Sequence, residues 1–183
     1  ARSIVDVKDA TGDDLGPGAV YQYPTHPSFE PGIFDLTGFA VRTDDAYVYF
    51  DLYFKNVLPP ERPEEFGLPN TFVAVGIHTG DEKGHGQFGY NAEYQVEPES
   101  PVQYILYIGN GFRVVNPAGE TLVEFIPGTG QYSLIDREEN KLHVAIPVEY
   151  FPQVKQWWKY TVIVGGRETR GNGEFGAFLP VNN

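Results

Sequence analysis

The stretch AYVYFDLYF, near the end of the first third of the chain, alternates between two kinds of side chain. Every second residue from Val48 to Phe54 is apolar, whereas Tyr47, Tyr49, Asp51 and Tyr53 occupy the positions between them. Because successive side chains of a β-strand point to opposite faces, this period of two predicts a strand with one buried face and one amphipathic face.

Short runs of the same kind recur along the chain, with Gly, Pro, Asn and Asp at short spacing between them. Many short strands with turn signals, and no long helical period, predict an all-β fold: an antiparallel β-sandwich or jelly roll of about ten strands. Only VEYFPQVKQWW has room for a helical turn, and Pro152 limits it. The predicted strands are SIVDV, FDLTGFAV, AYVYFDLYF, TFVAVGIH, VQYILYIG, FRVV, TLVEF, QYSLI, KLHVAI and YTVIVG.

The chain shows no internal repeat and no linker-like change in composition, so residues 1–183 are interpreted as a single domain. Two long loops interrupt the strands, at residues 57–70 and 79–101. The second is rich in glycine and polar residues, and loops of such length are more often functional than idle.

Composition narrows the possible partners and the compartment. A net charge of −12 argues against nucleic acid and anionic membrane as partners, and favours cations or simple solubility. No apolar run is long enough to span a bilayer. The absence of methionine and the small first residue Ala1 predict a chain secreted after removal of a signal peptide. The prolines, with no cysteine or methionine, also suit a heat-exposed protein.

An acidic, glycine-rich loop, DATGDDLGPG, is the strongest candidate for a metal site. Asp9, Asp13 and Asp14 lie close together with no lysine or arginine between them, and calcium prefers carboxylate and carbonyl oxygens. The spacing is not that of an EF-hand, so the ligand set needs completion, with Asp35 and Glu30 as the nearest candidates. The alternative is a surface turn in which the aspartates cap backbone amides.

The second long loop carries further potential ligands. His78 and His85 lack the spacing of a transition-metal site, so they and Glu93 are interpreted as solvated surface groups. Asp81 and Glu82 remain a separate, weaker candidate for calcium.

Signatures of catalysis are missing from the sequence. There is no G-x-S-x-G motif, no cysteine nucleophile and no phosphate-binding loop. The adjacent Glu64 and Glu65 lie in a proline-rich loop, and neighbours in sequence seldom face a substrate from opposite sides. We therefore predict that the chain is not an enzyme.

Aromatic side chains suggest a possible sugar-binding surface. Tyr47, Tyr49 and Tyr53 line one side of one predicted strand, and Trp157 and Trp158 form the only pair of indoles. Flat rings stack on the apolar faces of pyranoses, but such rings are also common in a sandwich core or at a protein interface. The sequence leaves these alternatives open.

The stretch DATGDDLGPGAVYQYPTHPSFEPGIFDLTGFAV, in roughly the first quarter of the chain, resembles the entry motif of the DOMON-like β-sandwich module at the C-terminal end of glucodextranase and of some archaeal amylopullulanases. YILYIGNGF and LHVAIPVEYF fit the same plan less specifically. The resemblance implies a β-sandwich fold and, as one function, a calcium-stabilised carbohydrate-binding module. It rests on Asp9, Gly12, Asp13, Asp14, Gly16, Gly18, Tyr21, Tyr23, Pro24, Phe34, Asp35 and Leu36.

As a free-standing acidic sandwich, the chain also resembles the cannula subunits, which build extracellular tubules on hyperthermophilic archaea with calcium. This resemblance implies a secreted structural protomer that forms a tubule or filament with copies of itself. Residues 1–8 are the candidate donor strand for a neighbouring copy, with pairing inside the chain's own sheet as the alternative. The sequence therefore predicts calcium-dependent self-assembly first, and polysaccharide binding second.

Overall fold

The computed structural model describes residues 1–15, 18, 25–59, 68–92, 94–125, 134–168 and 175–179. Thirteen β-strands lie within these ranges. In chain order they are β1 (Arg2–Lys8), β2 (Leu36–Thr43), β3 (Tyr47–Phe54), β4 (Thr71–His78), β5 (Gln87–Phe88), β6 (Tyr94–Gln95), β7 (Tyr104–Gly109), β8 (Gly111–Val115), β9 (Thr121–Phe125), β10 (Ile135–Asp136), β11 (Lys141–Pro147), β12 (Lys159–Glu168) and β13 (Ala177–Phe178).

The strands form two main antiparallel sheets and one small hairpin. The five-stranded sheet has the order β1-β2-β3-β11-β10, and the six-stranded sheet has the order β13-β12-β4-β7-β8-β9. The hairpin pairs β5 with β6. The predicted antiparallel β-sandwich is confirmed. Each predicted strand overlaps a strand of the structure. For QYSLI, within the described ranges, the overlap is limited to its last residue.

The main core fills the space between the two sheets. From the five-stranded sheet it takes Val48, Phe50 and Leu52 of β3, which are fully buried, as the period of two predicts. From the six-stranded sheet it takes alternate residues of β4, including Val73 and Val75. Burial of so many large apolar side chains supplies most of the free energy that holds the sheets together.

A second core covers the outer face of the six-stranded sheet. Phe72 and Ala74 of β4 point into it and meet Phe88 of the β5–β6 hairpin and Phe178 of β13. The approach is so close that a Cβ on Gly76 would stand 2.7 Å from the ring of Phe88. Both faces of β4 are therefore buried, which explains why TFVAVGIH is apolar throughout instead of alternating.

This second core gives the loop at 79–101 a structural role. The loop contains the β5–β6 hairpin, and His85 and Val102 exchange two backbone hydrogen bonds that hold it against the sheet. The sequence did not predict this hairpin or β13, because two-residue strands are too short for a periodic pattern. VEYFPQVKQWW forms turns and no helix.

The first strand pairs within its own chain. β1 runs antiparallel to β2 from Arg2, opposite Thr43, to Lys8, opposite Gly38. Among the described strands, β2 is its only neighbour, so β1 forms an edge of the five-stranded sheet. Donation of residues 1–8 to another copy would require β1 to leave β2.

Candidate functional site

The outer face of the five-stranded sheet carries the most chemically varied cluster in the described part of the chain. Adjacent strands place most of its residues in three rows across β2, β3 and β11, and Tyr47 lies one pair further along β3, opposite Pro147 of β11. Most polar and aromatic side chains of these rows are at least partly exposed. We call this surface the tyrosine face; it comprises Arg42, Tyr47, Tyr49, Asp51, Tyr53, Lys141 and His143.

Asp51 lies at the centre of the tyrosine face. In the middle row it stands between Ala40 of β2 and His143 of β11, and its side chain is almost fully buried. Arg42 donates to its Oδ2 at 2.6 Å, and Nδ1 of His143 lies 2.5 Å from its Oδ1. Because an ionised carboxylate only accepts hydrogen bonds, this contact places the proton of the imidazole on Nδ1.

The electrostatics of this group favour a charged Asp51. Burial would raise the pKa of Asp51, but the hydrogen bonds from His143 and Arg42 outweigh it and leave the pKa below its ordinary value. The side chains of Arg42 and His143 remain 39% and 32% exposed. Asp51 therefore fixes two partly exposed polar groups in defined orientations on the surface.

Tyr49 provides a ring at one end of the group. It stacks on His143 with 5.6 Å between ring centroids, and the guanidinium of Arg42 lies 5.4 Å from the ring centre. The Tyr49 hydroxyl donates to Asp44, whose carboxylate also caps the turn between β2 and β3. Tyr47 extends the aromatic surface, 5.9 Å from Tyr49.

Tyr53 provides a second ring at the other end. The ammonium of Lys141 lies 5.7 Å from its ring centre, and the Tyr53 side chain rests against Gly38 of β2. Tyr49 and Tyr53 are four residues apart on one strand, which corresponds to about 13 Å. The two rings therefore flank Asp51 and its partners along a shallow, elongated surface.

The aromatic residues singled out in the sequence separate into two groups. Tyr47, Tyr49 and Tyr53 share the tyrosine face, as predicted. The indoles do not act as a pair: Trp157 is 69% exposed, whereas Trp158 is buried and packs against Tyr104 and Phe151.

The candidate calcium ligands of the first loop are only partly brought together. Gly12 donates its backbone N–H to Oδ2 of the fully buried Asp35 at 2.6 Å, so the loop that carries the aspartates rests on Asp35. Asp14 is partly buried; burial and the nearby Asp35 raise its pKa. Asp13 is exposed, and Asp9 accepts from the backbone of its neighbour Ala10.

The other candidate ligands lie apart from that loop or are engaged elsewhere. Glu30 is exposed and contacts the amide of Asn56 at 3.4 Å. Asp81 accepts from Thr79, and Glu82 is exposed beside it. Within the described ranges, no three acidic or histidine side chains converge as a metal-binding group.

Both ring nitrogens of His78 are engaged, one by Ser100 and the other by Thr161. Glu64, Glu65 and Glu93 lie outside the described residues.

Sequence reasoning missed Arg42 and His143. Asp51 was visible on the amphipathic side of β3, but its partners come from positions 9 and 92 residues away in the chain. The only signal in the sequence was that Arg42 and His143 each occupy a polar position within an alternating strand. Their convergence depends on strand order and register, which a single sequence does not specify.

The described residues contain no helix long and apolar enough to cross a membrane. A search of curated proteins returns no match. A scan of protein families matches residues 4–182 to the glucodextranase C-terminal family, described as the C-terminal binding-module, SLH-like, of glucodextranase. This confirms the first of the two resemblances, while the resemblance to cannula subunits stays a prediction. Since the match covers almost the whole chain, the chain belongs to this family of glucodextranase C-terminal binding modules.

Proposed function

We propose that this chain is a carbohydrate-binding module that holds a polysaccharide, of the α-glucan class, on its tyrosine face. The family is a binding module and not a catalytic domain, which agrees with the absence of catalytic motifs in the sequence. An extracellular or cell-surface location fits a module of this kind.

The observation that carries the proposal is the pairing of stacking rings with oriented polar groups on a sheet face where most of these side chains are at least partly exposed. Tyr49 and Tyr53 are partly exposed, and the ring surface that His143, Arg42 and Lys141 leave open can stack on the faces of pyranose rings. Between them, Arg42 and His143 are held in place by Asp51 and can bond to sugar hydroxyls. The distance of about 13 Å between the tyrosines suits an extended chain better than a single sugar.

Truncating the stacking rings is expected to weaken glycan binding. Tyr49→Ala and Tyr53→Ala should each lower the affinity for a soluble α-glucan about tenfold, equal to roughly 1.4 kcal/mol, because each removes one stacking surface. Affinity electrophoresis or calorimetry with the purified chain measures the change.

A matched control uses exposed aromatic residues outside the tyrosine face. Tyr94→Ala and Trp157→Ala remove rings that are more exposed, at 45% and 69%, from other surfaces, and both should keep the affinity of the parent chain. Loss of binding in Trp157→Ala with none in Tyr49→Ala would move the site to the segment between β11 and β12. A parent chain that binds no α-glucan would contradict the proposal.

We also propose, as a second function, association between copies of the chain through the edge strand β1. The favouring observation is the position of β1 at the end of the five-stranded sheet, with Val7 52% exposed. An exposed strand edge presents unpaired backbone groups that another chain can pair with. With calcium, repeated pairing of this kind would extend to a filament or tubule.

Blocking the edge is expected to prevent any such assembly. Val7→Lys adds a charge at the exposed edge, so a chain that polymerises in calcium should remain monomeric with this change. Light scattering and electron microscopy, with and without calcium, measure the outcome. Tyr150→Lys is the control, because residue 150 is exposed in the turn after β11 and lies on no strand edge. A parent chain that stays monomeric at all calcium concentrations would exclude this function.

A further inference from the structure

We infer that two copies of the chain pair symmetrically along β1, with Asp6 of each copy opposite Lys8 of the other, so that two tyrosine faces share one side of a continuous sheet. The pairing deepens the proposed association through β1, because it gives that association a partner strand and a register. Its consequence for glycan binding rests on the proposed carbohydrate-binding function.

The backbone of β1 directs hydrogen-bonding groups to its free edge. Asp9 donates its backbone N–H to the carbonyl of Thr37, opposite it in the pairing with β2, at 3.0 Å. Because bonded and non-bonded pairs alternate along an antiparallel ladder, Val7 also directs its backbone groups towards β2. Asp6 and Lys8 therefore direct theirs to the other side, where no described strand pairs with β1.

The side chains at this edge complement a second copy of themselves. Asp6 and Lys8 are both exposed, and neither belongs to an ion pair of the described residues. Val7 lies between them on the opposite face of the strand and is 52% exposed. One short segment thus presents an acid, an apolar side chain and a base, which match their own sequence read in the opposite direction.

One antiparallel register satisfies all three residues. With the two-fold axis at Val7, Asp6 of each copy forms a bonded pair with Lys8 of the other, and the two residues exchange backbone hydrogen bonds. The two Val7 side chains then meet across a non-bonded pair, where cross-strand side chains are closest. A register centred on Val5 would instead place Lys8 opposite Arg2, and like charges directly opposite each other are unfavourable.

The symmetry of the pair has a consequence for glycan binding. A two-fold axis perpendicular to the sheet keeps the outer faces of both copies on the same side, so the two tyrosine faces lie side by side. Their β3 strands are five strand spacings apart, which corresponds to about 24 Å. A long glucan chain can then engage both faces, and such bivalent binding raises the apparent affinity without any new contact.

The pair is closed, because it occupies the free edge of both β1 strands. In a filament, β1 would instead pair with a different edge of the next copy, so the two arrangements exclude each other at β1. The paired segment is short and the interface correspondingly small. We therefore expect a weak dimer, with a dissociation constant on the order of 10⁻⁵ to 10⁻⁴ M.

Charge reversal with mutual rescue tests the register. Asp6→Lys and Lys8→Asp each place like charges opposite each other, so each variant alone should dimerise about tenfold more weakly than the parent chain, or worse. An equimolar mixture of the two variants should dimerise again, as should the double variant, because each lysine then meets an aspartate. Both variants should fold, since these residues stand opposite Ala40 and Gly38 on β2. Sedimentation equilibrium at low salt measures the association.

Glu99→Lys is the control for the charge change. It reverses an exposed acid in the loop at 79–101, which packs on the other sheet, and it should dimerise like the parent chain. For the glycan readout, the parent chain should bind a long α-glucan at least about tenfold more tightly than a short oligosaccharide. Asp6→Lys should lose this preference while it keeps the affinity for the oligosaccharide.

The inference is overturned if the parent chain stays monomeric with and without the long glucan, or if the mixed variants do not dimerise. Association that persists unchanged in both single variants would exclude this register, whereas Val7→Lys would still decide the proposed association through β1. An unchanged preference for the long glucan in Asp6→Lys would exclude bivalent binding by the pair. A parent chain that binds no α-glucan would contradict the carbohydrate-binding function, and sedimentation would still decide the register.

Discussion

Replacing Phe72 by alanine is expected to lower the free energy of unfolding by about 3–5 kcal/mol and to lower the Tm by an amount on the order of 10 °C. Phe72 is fully buried on the outer side of the six-stranded sheet. Its ring meets Phe178 at 4.8 Å and Phe175 at 5.7 Å, both edge to face. Truncation would leave a large cavity between β4 and the segments that cover it. Urea unfolding, followed by fluorescence, measures the loss.

The same change should loosen the covering segments before the sandwich itself unfolds. Hydrogen exchange should increase in the β5–β6 hairpin and at β13, because both pack on the second core around Phe72. Trp157→Ala is the control: it also truncates an aromatic ring, but one that is largely exposed, and it should cost about 0.5 kcal/mol or less. A loss below about 1 kcal/mol in Phe72→Ala would contradict the role given to this core.

The second core also shows how far the sequence predicts the fold. The alternation in β3 identifies a strand with one buried face, and the structure confirms it. The unbroken apolar run of β4 indicates a strand that is buried on both faces, but it does not indicate which segments cover the second face. Phe88 belongs to a loop whose glycines and charges suggest solvent exposure, and only tertiary contact reveals that it is a core residue.

The candidate sites, like the fold, were predictable from the sequence only where their residues lie close together in the chain. A local pattern predicted the three tyrosines of the tyrosine face and the acidic loop, because each set lies within a few residues in sequence. The burial of Asp35 and the separation of Trp157 from Trp158 were beyond local reasoning, since adjacent side chains can meet opposite environments. The group around Asp51 required the register of three strands, and therefore the whole five-stranded sheet.

Replacing Asp51 by asparagine is expected to reduce both stability and glycan affinity. At neutral pH the free energy of unfolding should fall by about 1–3 kcal/mol, because Arg42 and His143 lose their charged partner. This loss of stability should be smaller than the loss caused by breaking a fully buried ion pair, since Arg42 and His143 both reach solvent. The affinity for an α-glucan should fall about tenfold in the folded variant, because these two side chains are no longer held in position.

The pH dependence of stability separates the charge of Asp51 from its packing. The folded-state pKa of Asp51 lies below its unfolded value of 3.8, so its charge contributes stability above pH 3.8 that is lost as the pH falls through the folded pKa. The stability difference between the parent chain and Asp51→Asn should therefore be present at pH 7 and shrink below pH 3.8. The charged or titratable groups that face Asp51 are Arg42, His143 and Lys141, and none of them is changed.

Urea unfolding of both chains across this pH range, with glycan binding measured at neutral pH, tests the prediction. Asp136→Asn is the control, because its carboxylate lies 4.0 Å from Lys141 on the same sheet and an amide can keep its two bonds to the turn. This variant should show nearly the stability and glycan affinity of the parent chain. A difference for Asp51→Asn that stays constant down to pH 2 would assign its effect to packing, and unchanged glycan affinity would remove Asp51 from the binding surface.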